Sequence, residues 1–465
     1  MKKYSILIFL LIFWQQNAQN QIESIMTLSE YLGYVKTYHP IVKQANLIIN
    51  NSEAKLLKAR GAFDPKIEVD YDKKLFKETE YYNKLNGAFK IPTWYGIEFK
   101  GTFEQNDGVF LNPENNVPLE GLYSAGVSVS LARNLLTNDR MASLKQAKFF
   151  RDQAREDQQI MVNKILYDAS LSYFNWLKTY NEKLVFQDFL ENAKIRFQST
   201  KRAFEEGEKP AIDTLEAGIT LTTRKLNLEK ARINLIKSSL ELSNFLWLND
   251  NTPIELKENI IPDVDTFNSI DRTFNIALFN NENFDLENHP KIRSLNFKVE
   301  SLDVERKLKL NNLLPKIDLN YNFIAPEVNQ FNAFGVDNYK GGIKFSTPLF
   351  IRKQRGDLKL AKIKLQDQIF EREATRVVIK NKIDAILQEL ESFILQSDYT
   401  ANNVRDYSVL LKAEERKFFL GESSLFLVNS REQKFIDSKL KAIKLENAFF
   451  KSKATLFKEA VISIN

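Results

Sequence analysis

Cysteine is absent from this 465-residue chain, and histidine occurs only twice. These absences exclude disulfides, thiolate catalysis and a lipidated N-terminal cysteine together. An enzyme would have to work with carboxylates and hydroxyls, and no compact cluster of them stands out along the sequence. A carbohydrate-active or other periplasmic enzyme using paired carboxylates is therefore disfavoured, because such chemistry needs two carboxyls held a fixed distance apart in a pocket. Glycine is sparse, at 15 residues. Beyond the N-terminus, no stretch reaches the roughly 18 unbroken apolar residues of a transmembrane helix. Charge of neither sign dominates: 66 Lys and Arg stand against 60 Asp and Glu, spread along the whole length. Nucleic acid is not an expected partner.

What is present begins with a leader-like segment. Lys2 and Lys3 precede an apolar run from Tyr4 to Trp14, and the small residue Ala18 follows in a polar stretch. This layout reads as a secretory signal peptide over residues 1–18, the run being too short to span a bilayer as a helix.

The remainder is duplicated. Tyr38-His39-Pro40 and the segment Pro65 to Asp72 recur as Asn288-His289-Pro290 and Pro315 to Asn322, both at an offset of 250 residues. Tyr123 to Ser130 then matches Tyr339 to Ser346 at an offset of 216, so the first repeat carries 34 additional residues, about 79–112. A third match joins Phe204-Glu205-Glu206-Gly207-Glu208 to Phe418-Phe419-Leu420-Gly421-Glu422. The domain plan is thus a signal peptide (1–18), a first repeat (19–248), a linker with a short helix (249–286) and a second repeat (287–465).

Each repeat has two patterns. Ile67, Val69 and Tyr71 alternate with Glu68, Asp70 and Asp72; Ile317, Leu319, Tyr321 and Phe323 alternate with Asp318, Asn320 and Asn322. Tyr123 to Leu131 and Tyr339 to Thr347 alternate likewise. This period of two predicts two strands per repeat, each with one apolar and one polar face. Long helices follow, because neither Gly nor Pro occurs from Met141 to Glu206 or from Asp357 to Leu420. Spans of about 65 residues would reach roughly 100 Å. Apolar residues recur at spacings of three and four (Leu166, Tyr173, Leu177, Tyr180, Leu184; Ile383, Leu387, Leu390, Ile394), a coiled-coil-like seam. Gly207 and Gly421 end these helices, and a shorter helix of about 39 residues is expected after each. With a helix of about 22 residues from Pro40 and from Pro290, the two shorter pieces are expected to match the unbroken partner in length.

Strands with one apolar face, joined to helices of that length, suit a tunnel in which the apolar face meets lipid and the polar face lines water. Four strands per copy cannot close a membrane barrel, so several copies must join; three would supply twelve strands. Several features leave two readings open. His39 and His289 are either a ligand pair or helix starts, while Pro65 and Pro315 are structural helix-to-strand joints. Asp213 and Glu216 are either an acidic ring at a narrow mouth or charges on a solvated helix face. Tyr81, Tyr82, Trp94 and Tyr95 are either a membrane-interface belt or the packing of a hairpin outside the membrane. Tyr95, Ile97, Phe99, Gly101 and Phe103 form a strand-like alternation, and the inserted segment either enlarges the barrel or folds beside it.

The duplicated order of helix, strand pair, long helix, Gly turn and shorter helix, with Pro at each strand entry and Asp213-x-x-Glu216-Ala217 after Phe204-x-x-Gly207, resembles the TolC-type outer-membrane efflux family. The likeness covers about Thr27 to Ile464. It implies an α+β fold in which a periplasmic α-barrel of long helices continues into a trimeric transmembrane β-barrel. It implies no catalysis and no cofactor, and a homotrimer in the outer membrane that reaches into the periplasm. The implied partners are a periplasmic adaptor, an inner-membrane pump and the lipid bilayer. The implied cargo is small molecules, metals or proteins. By the same resemblance, the turns at Gly207-Glu208 and Gly421-Glu422 are docking sites at a periplasmic tip, and Asp213 falls on a gate position. Repeat 2 departs from the family pattern, with Leu427 and Ser430 where acids are usual and Ser423 where an arginine is usual. A periplasmic coiled-coil structural or adaptor protein is the alternative, although it would need no amphipathic strands before each helix.

Overall fold

The structure, a computed structural model, describes residues 24–276, 284–329 and 337–462. The leader-like segment 1–18 lies outside these residues. Eight strands and eight α-helices are described. In chain order they are β1 (Ser24–Met26), α1 (Leu28–Tyr38), α2 (Pro40–Arg60), β2 (Lys66–Phe76), β3 (Thr79–Pro92), β4 (Ile97–Asp107), β5 (Leu122–Ala132) and α3 (Asp139–Glu205). There follow α4 (Ala211–Ser243), β6 (Ile260–Pro262), α5 (Thr266–Thr273), α6 (Pro290–Asn311), β7 (Lys316–Ala325), β8 (Tyr339–Ser346), α7 (Arg352–Phe419) and α8 (Leu425–Glu459). Among the described residues, no helix is long and apolar enough to cross a membrane. The described residues divide into two compact units: one draws on residues 24–45, 159–276, 284–285 and 378–462, the other on 46–158, 286–329 and 337–377.

The long helices run 67 and 68 residues. The helices after the glycine turns run 33 and 35 residues and not the expected 39. The first stops at Ser243, after which the chain bends and the Trp247 indole donates to the Asn244 carbonyl at 2.8 Å. The second stops at Glu459, because Val461 takes a positive φ of 49°. The short pieces therefore fall short of their unbroken partner. An additional helix, α1, opens on a reciprocal cap: Thr27 accepts from the Glu30 amide, and Glu30 accepts from the Thr27 amide, each at 3.2 Å.

In the first unit the helical interior is a heptad seam. On α7 the buried positions Ile379, Ile383, Ile386, Leu390 and Phe393 alternate by four and three. Of the expected stripe, Ile383 and Leu390 are buried, whereas Leu387 is half-buried and Ile394 is 67% exposed, their places in the seam being taken by Ile386 and Phe393. On α3, Leu166, Tyr173 and Leu177 are buried, whereas Leu184 lies near the surface at 38% exposure. Val185, Phe189, Leu411, Val428 and Ile436 form one cluster of this seam, and Phe189 meets Phe435 edge-on at 5.6 Å. A small two-stranded parallel sheet, β1 with β6, is tied to α3 by Tyr173. Its hydroxyl donates to the Met26 carbonyl at 2.8 Å and accepts from the Asp263 amide at 3.2 Å. Burial pushes the Tyr173 pKa up to about 12.

The second unit holds a single antiparallel sheet of six strands in the order β2-β3-β4-β5-β7-β8. The expectation of two strands per repeat is corrected. Repeat 1 contributes four because the inserted segment folds as β3 and β4 between β2 and β5. Sequence reading missed β3 for a physical reason: the β2–β3 turn, Lys77-Glu78, carries φ of 50° and 59° at both positions without the Asn-Gly or Gly that usually marks such a turn. The repeats meet where β5 pairs β7, from Tyr123 opposite Ala325 to Ala132 opposite Lys316. At this seam Gly126 is required by contact, since a Cβ there would lie 2.1 Å from the Tyr321 carbonyl oxygen. Replacing Gly126 with Val should therefore accelerate amide exchange over residues 122–132 and 316–325 by at least about tenfold. Gly342→Ala, with open space around its Cβ position, should leave exchange unchanged. Equal behaviour of the two variants would show that the seam tolerates the bulk.

Candidate functional site: a two-faced sheet and two glycine-turned helix ends

Directly paired residues in an antiparallel sheet share a face. Across the six strands the pairing aligns Val69, Gly87, Phe103, Tyr123 and Ala325 on one row, and Phe99, Val127, Tyr321 and Gly341 on another. The opposite face carries Glu68, Lys90 and Lys100 on β2 to β4, then Asp318 and Lys344 on β7 and β8. Among its bonds, Ser130 donates to Asp318 at 2.8 Å, Lys90 pairs with Glu68, and the Thr102 and Ser124 hydroxyls meet. One face thus carries an apolar band from edge to edge, which gives way to Lys73, Asn83 and Asp107 towards the β2–β3 turn, and the other is polar and crossed by ion pairs of both signs.

Among the described residues, no layer covers the apolar face. Ile343 stays 75% exposed and Phe99 54%. Such a surface is far from what a single water-soluble copy tolerates. The strands are 8 to 14 residues long, enough to cross hydrocarbon when tilted. The two edges, β2 and β8, are exposed along their whole length.

Pro65 and Pro315 directly precede β2 and β7, where their fixed φ sets the helix-to-strand joint. Pro315 also lends its carbonyl to the Arg133 amide at 3.3 Å. The aromatic residues of the insertion divide between the two ends of the hairpin. Tyr81 packs on Phe110 at 4.6 Å near the Lys77-Glu78 turn, with the Lys74 ammonium over its ring. The Lys84 ammonium lies over the Tyr82 ring. At the other end Trp94 stacks on Phe63 at 5.7 Å, and Tyr95 is exposed. Aromatic residues thus stand at both ends of the hairpin, with Tyr82 on the polar face beside Lys84.

The two histidines do the same local job. Nδ1 of His39 accepts from the Ile41 amide, and Nδ1 of His289 from the Lys291 amide, each at 3.1 Å, capping the helices that begin at Pro40 and Pro290. Burial, opposed by a backbone hydrogen bond with Asn244, pulls the His39 pKa below its ordinary value.

The two glycine turns are identical in construction. Gly207 and Gly421 each take φ 80°. The Gly207 amide donates to Phe204 at 3.0 Å and the Glu208 amide to Ala203 at 2.8 Å. The Gly421 amide donates to Phe418 at 3.1 Å and the Glu422 amide to Lys417 at 2.9 Å. Both are Schellman closures, with glycine in the left-handed position. Glu208 and Glu422 are exposed beside them. Asp213 occupies the first turn of α4, where a carboxylate is favoured by the helix dipole. Glu216 is engaged: it accepts from the Asn429 side chain at 3.0 Å. In repeat 2, Leu427 and Ser430 face outward at the start of α8, and Ser423 donates to Glu414.

Sequence reading missed the buried polar network beside this pair. Glu432, fully buried, accepts from Arg224 at 2.9 Å and from Arg196 at 3.0 Å. Arg224 also reaches Gln433 at 2.8 Å, and Arg196 reaches Glu415 at 3.2 Å and Asn429 at 3.3 Å. A signal existed: Arg224 stands in the heptad series Ala217, Arg224, Ala231, Ser238, every member of which is buried. Truncating Glu432 would leave two guanidinium groups without their shared partner.

No family model matches the sequence, and no curated protein does. Solved structures do match by fold. The Campylobacter jejuni CmeC outer membrane channel aligns at TM-score 0.64 with 14% identity, over 93% of this chain and 85% of that one. The outer membrane protein VceC of Vibrio cholerae aligns at 0.66 with 11% identity, over 94% of this chain and 97% of that one. The open state of the Neisseria gonorrhoeae MtrE outer membrane channel aligns at 0.65 with 12% identity, over 94% and 89%. This chain therefore has the TolC-like fold, with long helices and a sheet that is not closed within one copy.

Two outcomes follow from the local geometry. Glu432→Ala should cost about 3–5 kcal/mol, the penalty for breaking a buried ion pair, and should speed exchange in α4 and α8; a loss below about 1 kcal/mol would mean water already reaches the arginines. For His39, whose folded pKa is lowered, the unfolded chain binds the proton more readily. Stability is then complete above about pH 6.5 and declines as pH falls through the lowered folded value. The protection factors of the amides at residues 40–46, which are corrected for the intrinsic pH dependence of exchange, should fall between pH 7 and 5, and His39→Ala should abolish that fall at a cost of roughly 1 kcal/mol.

Proposed function

We propose that this protein is the outer-membrane channel of a tripartite export system: a homotrimer whose joined sheets cross the membrane as a barrel and whose helices form a conduit in the periplasm. The observation that carries this reading is the sheet, with an apolar band across one face, a polar opposite face and, among the described residues, no strand paired beyond β2 or β8. In hydrocarbon each unpaired backbone group costs several kcal/mol, so only a closed barrel is viable there. A coiled-coil structural protein has no use for such a face.

The helices support association of copies. On α4, next to the buried heptad, a second one lies bare: Ile219 is 60% exposed, and Leu226, Ile233 and Leu240 follow at seven-residue spacing, all exposed. On α7, Ile363, Phe370 and Val377 form a similar exposed series. Helices with an apolar seam on each of two faces belong in a ring, where each rod has two neighbours.

The two repeats (19–248 and 287–465), linked through 249–286, supply the pseudo-equivalent staves of that ring. In this reading Gly207-Glu208 and Gly421-Glu422 dock a periplasmic adaptor that couples to an inner-membrane pump, and Asp213 and Glu216 lie near an acidic entrance. The chain provides a passive route and performs no catalysis.

Detergent-extracted protein should run as a trimer by native mass and conduct when reconstituted in planar bilayers. Leu226→Glu with Ile233→Glu should leave the helical circular dichroism of the copy intact while abolishing the trimer. A stable, non-conducting monomer in detergent-free buffer would overturn the proposal.

A further inference from the structure

Strands β3 and β4 have no counterpart in the second repeat, where β7 pairs β8 directly. They are nonetheless full members of the sheet. β2 pairs β3 from Lys66 opposite Lys90 to Phe76 opposite Thr79. β3 pairs β4 from Asn83 opposite Asp107 to Pro92 opposite Glu98. β4 pairs β5 from Ile97 opposite Val129 to Glu104 opposite Leu122. The two faces continue into the insertion, with Leu85, Phe89 and Phe103 on the apolar band, which ends at Asn83 and Asp107, and Lys84, Asn86 and Thr102 on the polar side.

The hairpin is also built into the helix-to-strand joint. Thr93 donates to Ile97 at 2.7 Å, the Asn138 side chain donates to the Trp94 carbonyl at 3.0 Å, and Arg140 bonds Glu98 at 3.3 Å. The Ser130 amide donates to the Gly96 carbonyl at 3.1 Å. An appendage folded beside the sheet would need none of these ties.

Strand parity then decides what the hairpin does. Every neighbouring pair is antiparallel, and the strand number is even, so β2 and β8 run in opposite directions. The β8 edge of one copy can continue onto the β2 edge of the next without breaking the antiparallel pattern. Adding a hairpin preserves this property, whereas adding one strand would not.

We propose that residues 79–112 set the bore of the channel: each copy supplies six strands, and three copies close an eighteen-stranded barrel in place of the twelve that two strands per repeat would give. The inference rests on the trimeric channel proposed above. With strands tilted about 40° and about 4.8 Å apart, eighteen close at a diameter of roughly 36 Å and twelve at roughly 24 Å. The membrane segment is then more than twice as large in cross-section, and the outer membrane is not where bulky cargo is held back.

Engineered cysteine pairs test this cleanly in a chain without native cysteine. Thr102→Cys with Ser124→Cys joins β4 to β5 and should form a disulfide in the membrane-embedded oligomer, because these side chains already touch. Ile67→Cys with Val129→Cys should not, since β3 and β4 separate them. That second pair corresponds, through the repeat offsets, to Ile317 opposite Phe345, and would bond if β2 paired β5 with the hairpin expelled. Electron microscopy of the purified oligomer should show six strands per copy, and deletion of 79–112 should reduce the barrel diameter by about a third while keeping the trimer. Should the deletion fail to fold, the cysteine pairs still decide. An intact trimer with the Ile67–Val129 disulfide, or with four strands per copy, overturns the inference and leaves the channel standing; absence of any oligomer overturns both.

Discussion

A strand edge cannot end in hydrocarbon. The sheet of this protein has one face that water disfavours and two edges that pair with no further strand among the described residues, and these features impose opposite demands on a lone copy. Moving the apolar face into lipid satisfies the side chains and penalises the edges; leaving it in water does the reverse. Joining edge to edge with further copies satisfies both, because the backbone bonds close around the ring while the apolar side chains remain outside. Hence the second apolar seams on α4 and α7 belong to the same design. They extend the requirement for neighbours from the strands to the helices.

The duplication supplies the economy of this design, and its departures supply the individuality. Both repeats use a histidine cap before proline, a proline before the first strand and a Schellman closure at glycine, each a local device that survives copying because it depends on a few adjacent residues. The departures involve residues distant in sequence. The Arg196, Glu432 and Arg224 cluster joins helices from both repeats, yet the positions equivalent to Arg224 and Glu432 are Ser438 and Gly218, so the cluster exists once per copy. Buried charge of this kind contributes little net stability compared with apolar packing, but it penalises every alternative register of the helices. The inserted hairpin is the other departure, and it acts on the circumference of the sheet alone.

Alternating residues on β2, β5, β7 and β8, the absence of Gly and Pro through α3 and α7, and the paired anchors at 250-, 216- and 214-residue offsets made the internal duplication and the helix-strand order legible from the sequence. Those signals are local: a period of two, a period near 3.5 and a left-handed glycine each follow from the geometry of adjacent residues. Three things depended on tertiary structure. The β2–β3 turn places Lys77 and Glu78 at positive φ, which no residue preference announces, so β3 and the strand count appeared only with the register. Parallel heptads on one helix, such as Ile383 and Leu390 beside Leu387 and Ile394, have the same period, and only packing decides which of them is inside. The pairing of Glu432 with two arginines more than 200 residues away had no local trace beyond a charged side chain on a buried seam, because the energy that holds it there exists only once the helices have met.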